Sequence, residues 1–426
     1  MRPMRVSGRE VEALAREVRA APQSGQELSD VVRRIIAEVR AKGDRALVEM
    51  AREFDGVEMD VDDLVSGRRE MEEAARKVNA KLLRSLRGLS ARIRRLEVRR
   101  LRGLAFRLRY PEGTVIESVW RPISSVGCYA PGGRAPYVST VLMLGVPATV
   151  AGVGRKVLAT PPPKSEEARE SVLAAAWVAG FDEVLWSGGA QAIAALAYGT
   201  ERVRPVEKVL GPGNRYVAEA KRQVQADVAV DMVAGPTELV ALFDGESDLQ
   251  LVAEDMMAQA EHGPGTVVMA VTAEERAAEE LASILSSELS SLPEGSAVRQ
   301  NLSRDWTVVL VESWEEAVKL VDAIAPEHLS IASNGLRGLA KKVRNAGAIT
   351  VGKGVPSVLL DYFAGASHVL PTGGWARTRG GLTVLDYVKL IHVVRAGPKV
   401  RSRASREVGM LAEVEGLPHH RRALGP

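Results

Sequence analysis

The sequence predicts an α/β protein with two parallel sheets and helices on the faces of both sheets. From Lys156 onward, short β-branched runs alternate with amphipathic segments of helix length, the pattern of strands joined by crossover helices. The alternation occurs in two successive series. The chain has 426 residues, more than the roughly 250–300 at which one hydrophobic core stops growing, so we expect at least two domains.

The first series runs from Val157 to Met232 and forms one predicted α/β unit. Its predicted strands are Val157–Thr160, Glu183–Trp186, Val206–Leu210 and Val228–Met232, and its predicted helices are Glu166–Ala179, Gln191–Tyr198 and Tyr216–Val224.

The second series begins at Leu239. Its predicted strands are Leu239–Phe243, Val267–Val271, Val308–Val311 and, after the segment Leu336–Ala346, Ile349–Val351. Its predicted helices are Leu249–Glu261, Ala273–Ser290 and Glu315–Ile324. Two such units side by side predict a ligand cleft, because these sheets bind ligands outside the carboxyl ends of their strands.

The two ends of the chain differ from this pattern. The first hundred residues are predicted to be helical, most clearly at Glu27–Lys42 and Asp63–Leu89. Beyond Leu382 a single apolar segment, Val384–Val394, leads into a basic tail with few large apolar residues. Such a tail has too little core material to be stable alone, so we expect it to pack on a partner.

Composition excludes several classes of protein. The longest apolar run, Val141–Gly154, is shorter than the roughly 20 residues that span a bilayer, and the first twenty residues do not form a secretory signal. The single cysteine, Cys128, cannot form an internal disulfide. We therefore expect a cytoplasmic protein with no membrane contact.

Charge gives little reason to expect a polyanionic partner. Lys and Arg total 57 against 54 acidic residues, so the excess is small. Arginines do cluster in the helix-like stretch 84–109, and such a stripe could bind nucleic acid. No interleaved aromatic or nucleic-acid motif accompanies them, so we favour a solvated helix face or a subunit contact.

The strongest local signal for chemistry is Gln259-Ala-Glu-His262-Gly-Pro, at the end of a predicted helix. Gln259 and His262 are three residues apart and share one face of the last turn, which Gly263 and Pro264 terminate. The carbonyl end of a helix favours a cation, so a metal is plausible there. The alternative is that His262 merely caps the helix.

Two weaker signals lie further along the chain. Glu327 and His328 follow Pro326 directly, and an acid and a base in that position could accept a proton from an alcohol and activate a water. A surface turn is the competing interpretation. Asp361 follows an apolar stretch and could ligate zinc or cap a helix.

No G-x-G-x-x-G fingerprint is present, but three glycine-rich turns follow predicted strands. Such turns let the backbone approach a phosphate at a helix start. They are Tyr129-Ala-Pro-Gly-Gly133, Ser187-Gly-Gly-Ala-Gln191 and Gly211-Pro-Gly-Asn214.

At this point the sequence resembles one family, the histidinol dehydrogenases, from about Val31 to His420. The resemblance is carried by segments that occur together and in this order: Gly188-Gly-Ala-Gln-Ala-Ile-Ala-Ala, Gly211-Pro-Gly-Asn, Asp231-Met-Val-Ala-Gly-Pro-Thr-Glu238, Gln259-Ala-Glu-His262, Pro326-Glu-His-Leu329 and Glu415-Gly-Leu-x-x-His420.

The resemblance implies an α/β fold of two incomplete Rossmann-like domains with small helical terminal domains, in a homodimer that exchanges its tails. The implied divisions are an N-terminal segment 1–25, a first large domain of 26–128 and 239–382, an NAD-binding domain 129–238 and a dimerisation tail 383–426. The implied activity is the oxidation of L-histidinol through L-histidinal to L-histidine with two NAD, the last steps of histidine biosynthesis.

The resemblance also assigns roles to residues. Zinc would be held by Gln259, His262, Asp361 and, from the other subunit, His420. His328 would be the general base and Glu327 would activate water. The substrate would contact Thr237, Glu415 and the metal with its ligands, and NAD would contact Tyr129, Gln191 and Asn214.

Some positions depart from the family pattern. Leu360 stands where glycine usually precedes the Asp-Tyr pair, and Ser367 where asparagine usually precedes His368. Both positions touch the loop that carries Asp361. His419 beside His420 gives two registers for the tail ligand, and spacing from Glu415 selects His420.

Three other functions were weighed. A relative with the same zinc and NAD could oxidise another polar alcohol, and a zinc hydrolase would form no NADH. A non-enzymatic binding protein would rely on the arginine stretch 84–109. Cys128 is not expected to act as a nucleophile, because few basic residues lie near it in sequence, and we predict a packing role.

Overall fold

The computed structural model describes residues 1–19, 25–103, 105–132, 135–232 and 235–423. In these residues the strands are β1 Met4–Val6, β2 Val65–Gly67, β3 Phe106–Arg109, β4 Val115–Pro122, β5 Ser125–Tyr129, β6 Arg155–Thr160, β7 Glu183–Trp186, β8 Lys208–Leu210, β9 Ala229–Val230, β10 Glu238–Leu242, β11 Val267–Thr272, β12 Val308–Val311, β13 His328–Ile331, β14 Ala348–Val351 and β15 Val388–Arg395.

The helices of the same residues surround these strands. They are α1 Glu10–Arg19, α2 Gln26–Lys42, α3 Asp44–Met50, α4 Arg68–Lys77, α5 Ala80–Arg102, α6 Val138–Ala151, α7 Glu166–Ala179, α8 Gly189–Tyr198, α9 Arg215–Val224, α10 Leu249–Ala260, α11 Glu275–Ser290, α12 Ala297–Leu302, α13 Trp314–Ile324, α14 Pro398–Val414 and α15 Pro418–Ala423. No helix among the described residues is long and apolar enough to cross a membrane.

The first sheet has six parallel strands in the order β1-β12-β11-β10-β13-β14. Its central strands are buried along their whole length, because hydrophobic clusters cover both faces. Continuous β-branched runs such as Val267–Thr272 are typical of that environment. The strand order reverses between β10 and β13.

The second sheet also has six strands, in the order β2-β7-β6-β5-β8-β9. Only β2 runs antiparallel to its neighbour, and the other pairs are parallel. Here the order reverses between β5 and β8, so the carboxyl ends of these two strands flank a crevice of the kind that binds dinucleotides. The α/β class and the two parallel units predicted from the sequence are confirmed.

The segment from α2 to α5 packs on the second sheet, whereas β1 and α1 pack on the first. Strand β2 pairs with β7, the apolar residues of α2 and α3 share a core with α8 and α9, and α4 packs on α7. The predicted division instead grouped 26–128 with 239–382. Amphipathic helices show which face is apolar but not which sheet covers it, so that division rested on the resemblance alone.

One helix prediction was wrong. The segment Asp63–Leu89 contains strand β2 and two helices, α4 and α5, rather than one helix. The break before α5 has a local cause, since the Asn79 side chain accepts a hydrogen bond from Lys81 N–H at 2.8 Å and caps the new helix. Between α13 and β14 the chain forms a 3₁₀ helix over Gly335–Lys341.

The C-terminal tail contributes to a third, antiparallel sheet in the order β15-β4-β3. Its strand β15 is mostly exposed despite Leu390, Ile391 and Val394. Helix α14 carries further exposed apolar side chains, among them Met410 and Val414. The tail therefore carries uncovered apolar surface of the kind found at protein interfaces, and its packing on a partner stays a prediction.

Candidate functional site

The predicted catalytic residues meet at the amino end of the first sheet. Thr237 directly precedes β10 and Glu327 directly precedes β13, and the parallel pairing of these strands places their amino ends side by side. The Thr237 hydroxyl donates to Glu327 Oε2 and accepts from Gln259 Nε2. The backbone N–H of Glu238 donates to the same carboxylate oxygen at 3.1 Å.

Burial sets the charge states of Glu327 and His328. Burial raises the pKa of Glu327 to about 8, although the hydrogen bonds from Thr237 and Glu238 lower it. Burial also lowers the pKa of His328 to about 3, and the neighbouring His368 and His262 act in the same direction. His328 is therefore neutral and available as a proton acceptor at ordinary pH.

Glu238 is a buried acid that the sequence analysis did not single out. Its Oε2 accepts from the backbone N–H of Glu327 at 3.2 Å, and its Oε1 accepts from Gly373 N–H at 2.8 Å. Burial raises its pKa to about 7. Glu238 thereby fixes the backbone of the Glu327–His328 pair to the loop after Pro371. The apolar sequence of β10 gave no sign that this acid is buried.

Asp361 lies in a π-helical turn, Leu360–Ala364, beside His328. Its Oδ1 atom is buried, has no hydrogen-bond partner in the structure, and lies 4.0 Å from His328 Nε2. Burial raises the pKa of Asp361 to about 7, and the carboxylate of Asp255 adds to the shift. A buried carboxylate oxygen without a donor is suited to a cation.

Other contacts hold the turn that carries Asp361. The two nitrogens of His368 lie 3.1 Å from the backbone oxygen of Asp361 and 3.1 Å from the Thr140 hydroxyl. The two residues that depart from the family pattern lie beside this turn. Leu360 is buried, and the Ser367 hydroxyl accepts a hydrogen bond from Val369 N–H.

Helix α10 and the turn that ends it place Gln259 beside Thr237 and His262 near His328. Gln259 is buried, and His262 stands just beyond the end of the helix. Burial lowers the pKa of His262, partly offset by Glu261. The Asn301 amide donates to the carbonyls of Ala260 and Gly263 at 3.1 and 2.7 Å, and so fixes this helix end. Asn301 was missed because it is distant in sequence.

The residues fit zinc in their chemistry, although one chain does not complete a site. Gln259, His262 and Asp361 offer amide oxygen, neutral imidazole and an unpartnered carboxylate oxygen, a mixed set that zinc accepts. Within the described part of the chain, no group of three or more His, Cys, Asp or Glu side chains is arranged to hold a metal. Glu415 and His420 are exposed on the tail, outside the buried group.

The predicted cofactor residues lie around the crevice of the second sheet. Tyr129 ends β5 and Gly211 follows β8, the two strands at which the order reverses. The backbones touch there: Gly211 has a φ of +117°, and a Cβ on it would collide with the carbonyl oxygen of Tyr129. The turn that starts at Tyr129 is described as far as Gly132, so its last residue, Gly133, lies outside the described residues.

Two helices begin at this crevice. The Tyr129 hydroxyl accepts from Gly189 N–H at 3.2 Å at the start of α8, next to the buried Gln191. Asn214 caps α9 by accepting from the N–H groups of Tyr216 and Val217 at 3.0 and 3.2 Å. The amide side of Asn214 and the positive ends of both helices are suited to an anionic cofactor.

A buried ion pair behind the crevice was not foreseen. Lys221 and Asp231 pair with each other, and both bind the Gly211 backbone: Lys221 Nζ donates to its carbonyl at 2.9 Å, and Asp231 accepts from its N–H at 2.8 Å. Cys128, by contrast, is fully buried, and burial raises its thiol pKa to about 12, in keeping with a packing role.

Thr140 connects the two halves of the site. It lies in the first helical turn after β5 and the glycine-rich turn, and its hydroxyl meets His368, which contacts Asp361. The crevice of the second sheet therefore adjoins the turn that carries Asp361.

Comparison with known proteins agrees with this arrangement. Residues 18–425 match the family model described as histidinol dehydrogenase. Histidinol dehydrogenase of Thermus thermophilus is 41% identical over 413 residues, covering 97% of this chain and 98% of the relative. That of Rhizobium meliloti is 40% identical and covers 94% and 92%. A crystal structure of histidinol dehydrogenase from Elizabethkingia anophelis superposes with a TM-score of 0.90 at 29% identity, covering 99% and 97%.

The matched family and relatives are dehydrogenases, which places this protein in the class of NAD-dependent oxidoreductases; the reversal of strand order in the second sheet gives a crevice of the type that binds dinucleotides. The chain belongs to the histidinol dehydrogenase family.

Proposed function

We propose that this enzyme oxidises L-histidinol to L-histidinal and then to L-histidine, reducing two NAD in the last steps of histidine biosynthesis. The observation that carries the proposal is the buried group of Thr237, Glu327, His328 and Asp361, which holds a neutral imidazole beside an acid of raised pKa. Oxidation of a hydroxyl and addition of water to an aldehyde each release a proton, and this group offers an acceptor for each of these tasks.

In the first oxidation, neutral His328 accepts the proton of the carbinol hydroxyl. The hydride leaves the same carbon for the nicotinamide, which forms the aldehyde and NADH. The low pKa of His328 keeps its acceptor nitrogen free before the reaction, and Gln259 and Thr237 hold neighbouring polar groups of the substrate.

In the second oxidation, the Glu327 carboxylate accepts a proton from the water that adds to the aldehyde, and the imidazolium of His328 returns the proton from the first step to the aldehyde oxygen. Neutral His328 then takes a hydroxyl proton of the resulting hydrate, and the hydride leaves the same carbon for a second NAD. Glu327 keeps its orientation through the hydroxyl of Thr237 and the N–H of Glu238. The aldehyde stays in a buried site, which protects a reactive species from side reactions.

Gln259, His262 and Asp361 would hold zinc together with His420 of a second chain. When bound, the metal supplies a charge that orients the imidazole and amino nitrogens of the substrate. Tyr129, Gln191 and Asn214 would contact NAD at the crevice between β5 and β8. Glu415 would receive the substrate ammonium.

The exposed tail supports a homodimer with a shared site. Glu415 and His420 project from helices whose apolar side chains are uncovered in one chain. Covering them with a second copy would bury this surface and complete the ligand set. The buried, free Cys128 fits a reducing compartment such as the cytoplasm.

The experiment that tests the proposal counts NADH formed per histidinol consumed. We expect two NADH for each histidinol, loss of both after chelation, and recovery with Zn²⁺. One NADH per substrate, or faster turnover of a different polar alcohol, would contradict the assignment. Product formation without NADH would instead indicate a hydrolase.

A further inference from the structure

Asp255 is a buried acid on the helix that carries two of the proposed zinc ligands. It lies on α10 four residues, or about one turn, before Gln259, and its side chain is 4% exposed. The mechanism gives it no role. Burial raises its pKa, so keeping a carboxylate there has a cost that its hydrogen bonds must offset.

Those hydrogen bonds all go to one segment, the start of the turn that carries Asp361. The backbone N–H of Ser357 lies 2.9 Å from both carboxylate oxygens of Asp255, and the Ser357 hydroxyl donates to Oδ1 at 2.6 Å. The N–H of Val358 also donates to this carboxylate.

The segment that begins at Ser357 leads directly into the proposed ligand. Leu360 N–H donates to the Ser357 carbonyl at 2.9 Å, which opens the helical turn, and Asp361 follows. A carboxylate that accepts from the first N–H groups of a turn acts as its cap and fixes its direction. Asp255 therefore connects the helix of Gln259 and His262 to the turn of Asp361.

We infer that Asp255 is a positioning residue for the metal site: through Ser357 it sets where the Asp361 carboxylate stands relative to Gln259 and His262. A zinc ligand set must match a tetrahedral geometry within a few tenths of an ångström. Ligands on two separate elements keep that geometry only when the elements are joined, and supporting hydrogen bonds of this kind commonly contribute 10- to 100-fold in metal affinity.

The inference rests on the proposed zinc site and is tested on binding rather than turnover. Full-length protein is stripped with a chelator, and Zn²⁺ affinity is measured by competition with a chromogenic chelator. Co²⁺ is added in parallel for its visible spectrum. Asp255→Ala removes the whole cap, and Ser357→Ala removes only the hydroxyl bond.

Asp248→Ala is the matched control. Asp248 caps the other end of α10 by accepting from Leu251 N–H at 3.2 Å, so its loss destabilises the same helix without touching the turn of Asp361. The melting temperature of each metal-free variant is recorded to separate stability from affinity.

We expect Asp255→Ala to weaken Zn²⁺ binding roughly 10- to 100-fold and to change the Co²⁺ spectrum, with a smaller loss for Ser357→Ala and less than about a twofold change for Asp248→Ala. A lowered melting temperature with unchanged Zn²⁺ affinity in Asp255→Ala would overturn the inference. If Asp255→Ala does not fold, unchanged affinity in Ser357→Ala overturns it. Wild-type protein that binds no Zn²⁺ would instead overturn the zinc site itself.

Discussion

The Nε2 atom of His328 lies 4.0 Å from the buried Oδ1 atom of Asp361. The two atoms belong to different elements, the start of β13 and a π-helical turn. They do not form an ion pair, since the pKa of His328 is about 3 and its imidazole is neutral. A neutral base and a proposed metal ligand thus face the same small space. In the proposed mechanism, a metal held by Asp361 would orient the substrate while the imidazole of His328 removes its proton.

The first prediction separates the roles of His328 and Glu327. His328→Gln should slow the oxidation of histidinol by roughly 10²- to 10⁴-fold, because it removes the proton acceptor of the alcohol. Glu327→Gln keeps an oxygen for Thr237 and Glu238 and should mainly slow the conversion of added histidinal. Single-turnover NADH formation from each substrate measures the two steps. A loss in Glu327→Gln that is as large with histidinol as with histidinal would refute the division of labour.

The second prediction concerns stability and pH in metal-free protein. The pKa of Glu327 is about 8 in the fold and close to 4.5 in an unfolded chain, so between these values the folded state holds one more proton. Raising the pH through this window therefore destabilises the fold, by up to about 1.4 kcal/mol per pH unit from this group. Glu327→Gln removes that contribution.

Urea unfolding at several pH values between 5 and 8 measures this effect. The stability of Glu327→Gln relative to wild type should rise steadily with pH. Glu279→Gln, on the exposed face of α11, is the control and should follow the wild-type curve. Parallel curves for wild type and Glu327→Gln would show that Glu327 does not titrate as its burial indicates.

The third prediction tests the shared site. His262→Ala and His420→Ala chains should each be nearly inactive as homodimers. A heterodimer of the two contains one site with both substitutions and one with neither, so about half of the wild-type activity per dimer should return. Tagged, purified heterodimers measure this. Absence of recovery would mean that each site takes its ligands from one chain.

Local signals in the sequence predicted much of the fold and part of the site. The β-branched runs and helical periods located both sheets, since burial on both faces leaves a continuous apolar signature. Pro326 and the adjoining acid and base Glu327–His328 marked the strand start at which the proposed catalytic residues lie. The resemblance supplied the remaining candidate ligands.

Long-range contacts account for what the sequence did not reveal. Asn301 supports the helix end beside His262 from about forty residues away. Lys221, on α9, binds the carbonyl of Gly211 in the turn before that helix. Tertiary packing likewise decides which sheet covers α2 and α3. Such contacts depend on three-dimensional neighbours, for which a single sequence carries no local signal.

The last prediction concerns the cofactor crevice. Gly211→Ala places a Cβ against the carbonyl oxygen of Tyr129 in a backbone conformation, φ +117°, that suits glycine. The two turns must then separate, and the KM for NAD should rise roughly tenfold, equivalent to about 1.4 kcal/mol, while the KM for histidinol changes little. Gly152→Ala is the control, because Gly152 also has a positive φ but has no atom within 4 Å of its added Cβ. Steady-state kinetics with each substrate varied in turn distinguish the cases. A similar increase of the KM for NAD in both variants would indicate general backbone strain. An increase confined to Gly211→Ala and to NAD places the cofactor between β5 and β8.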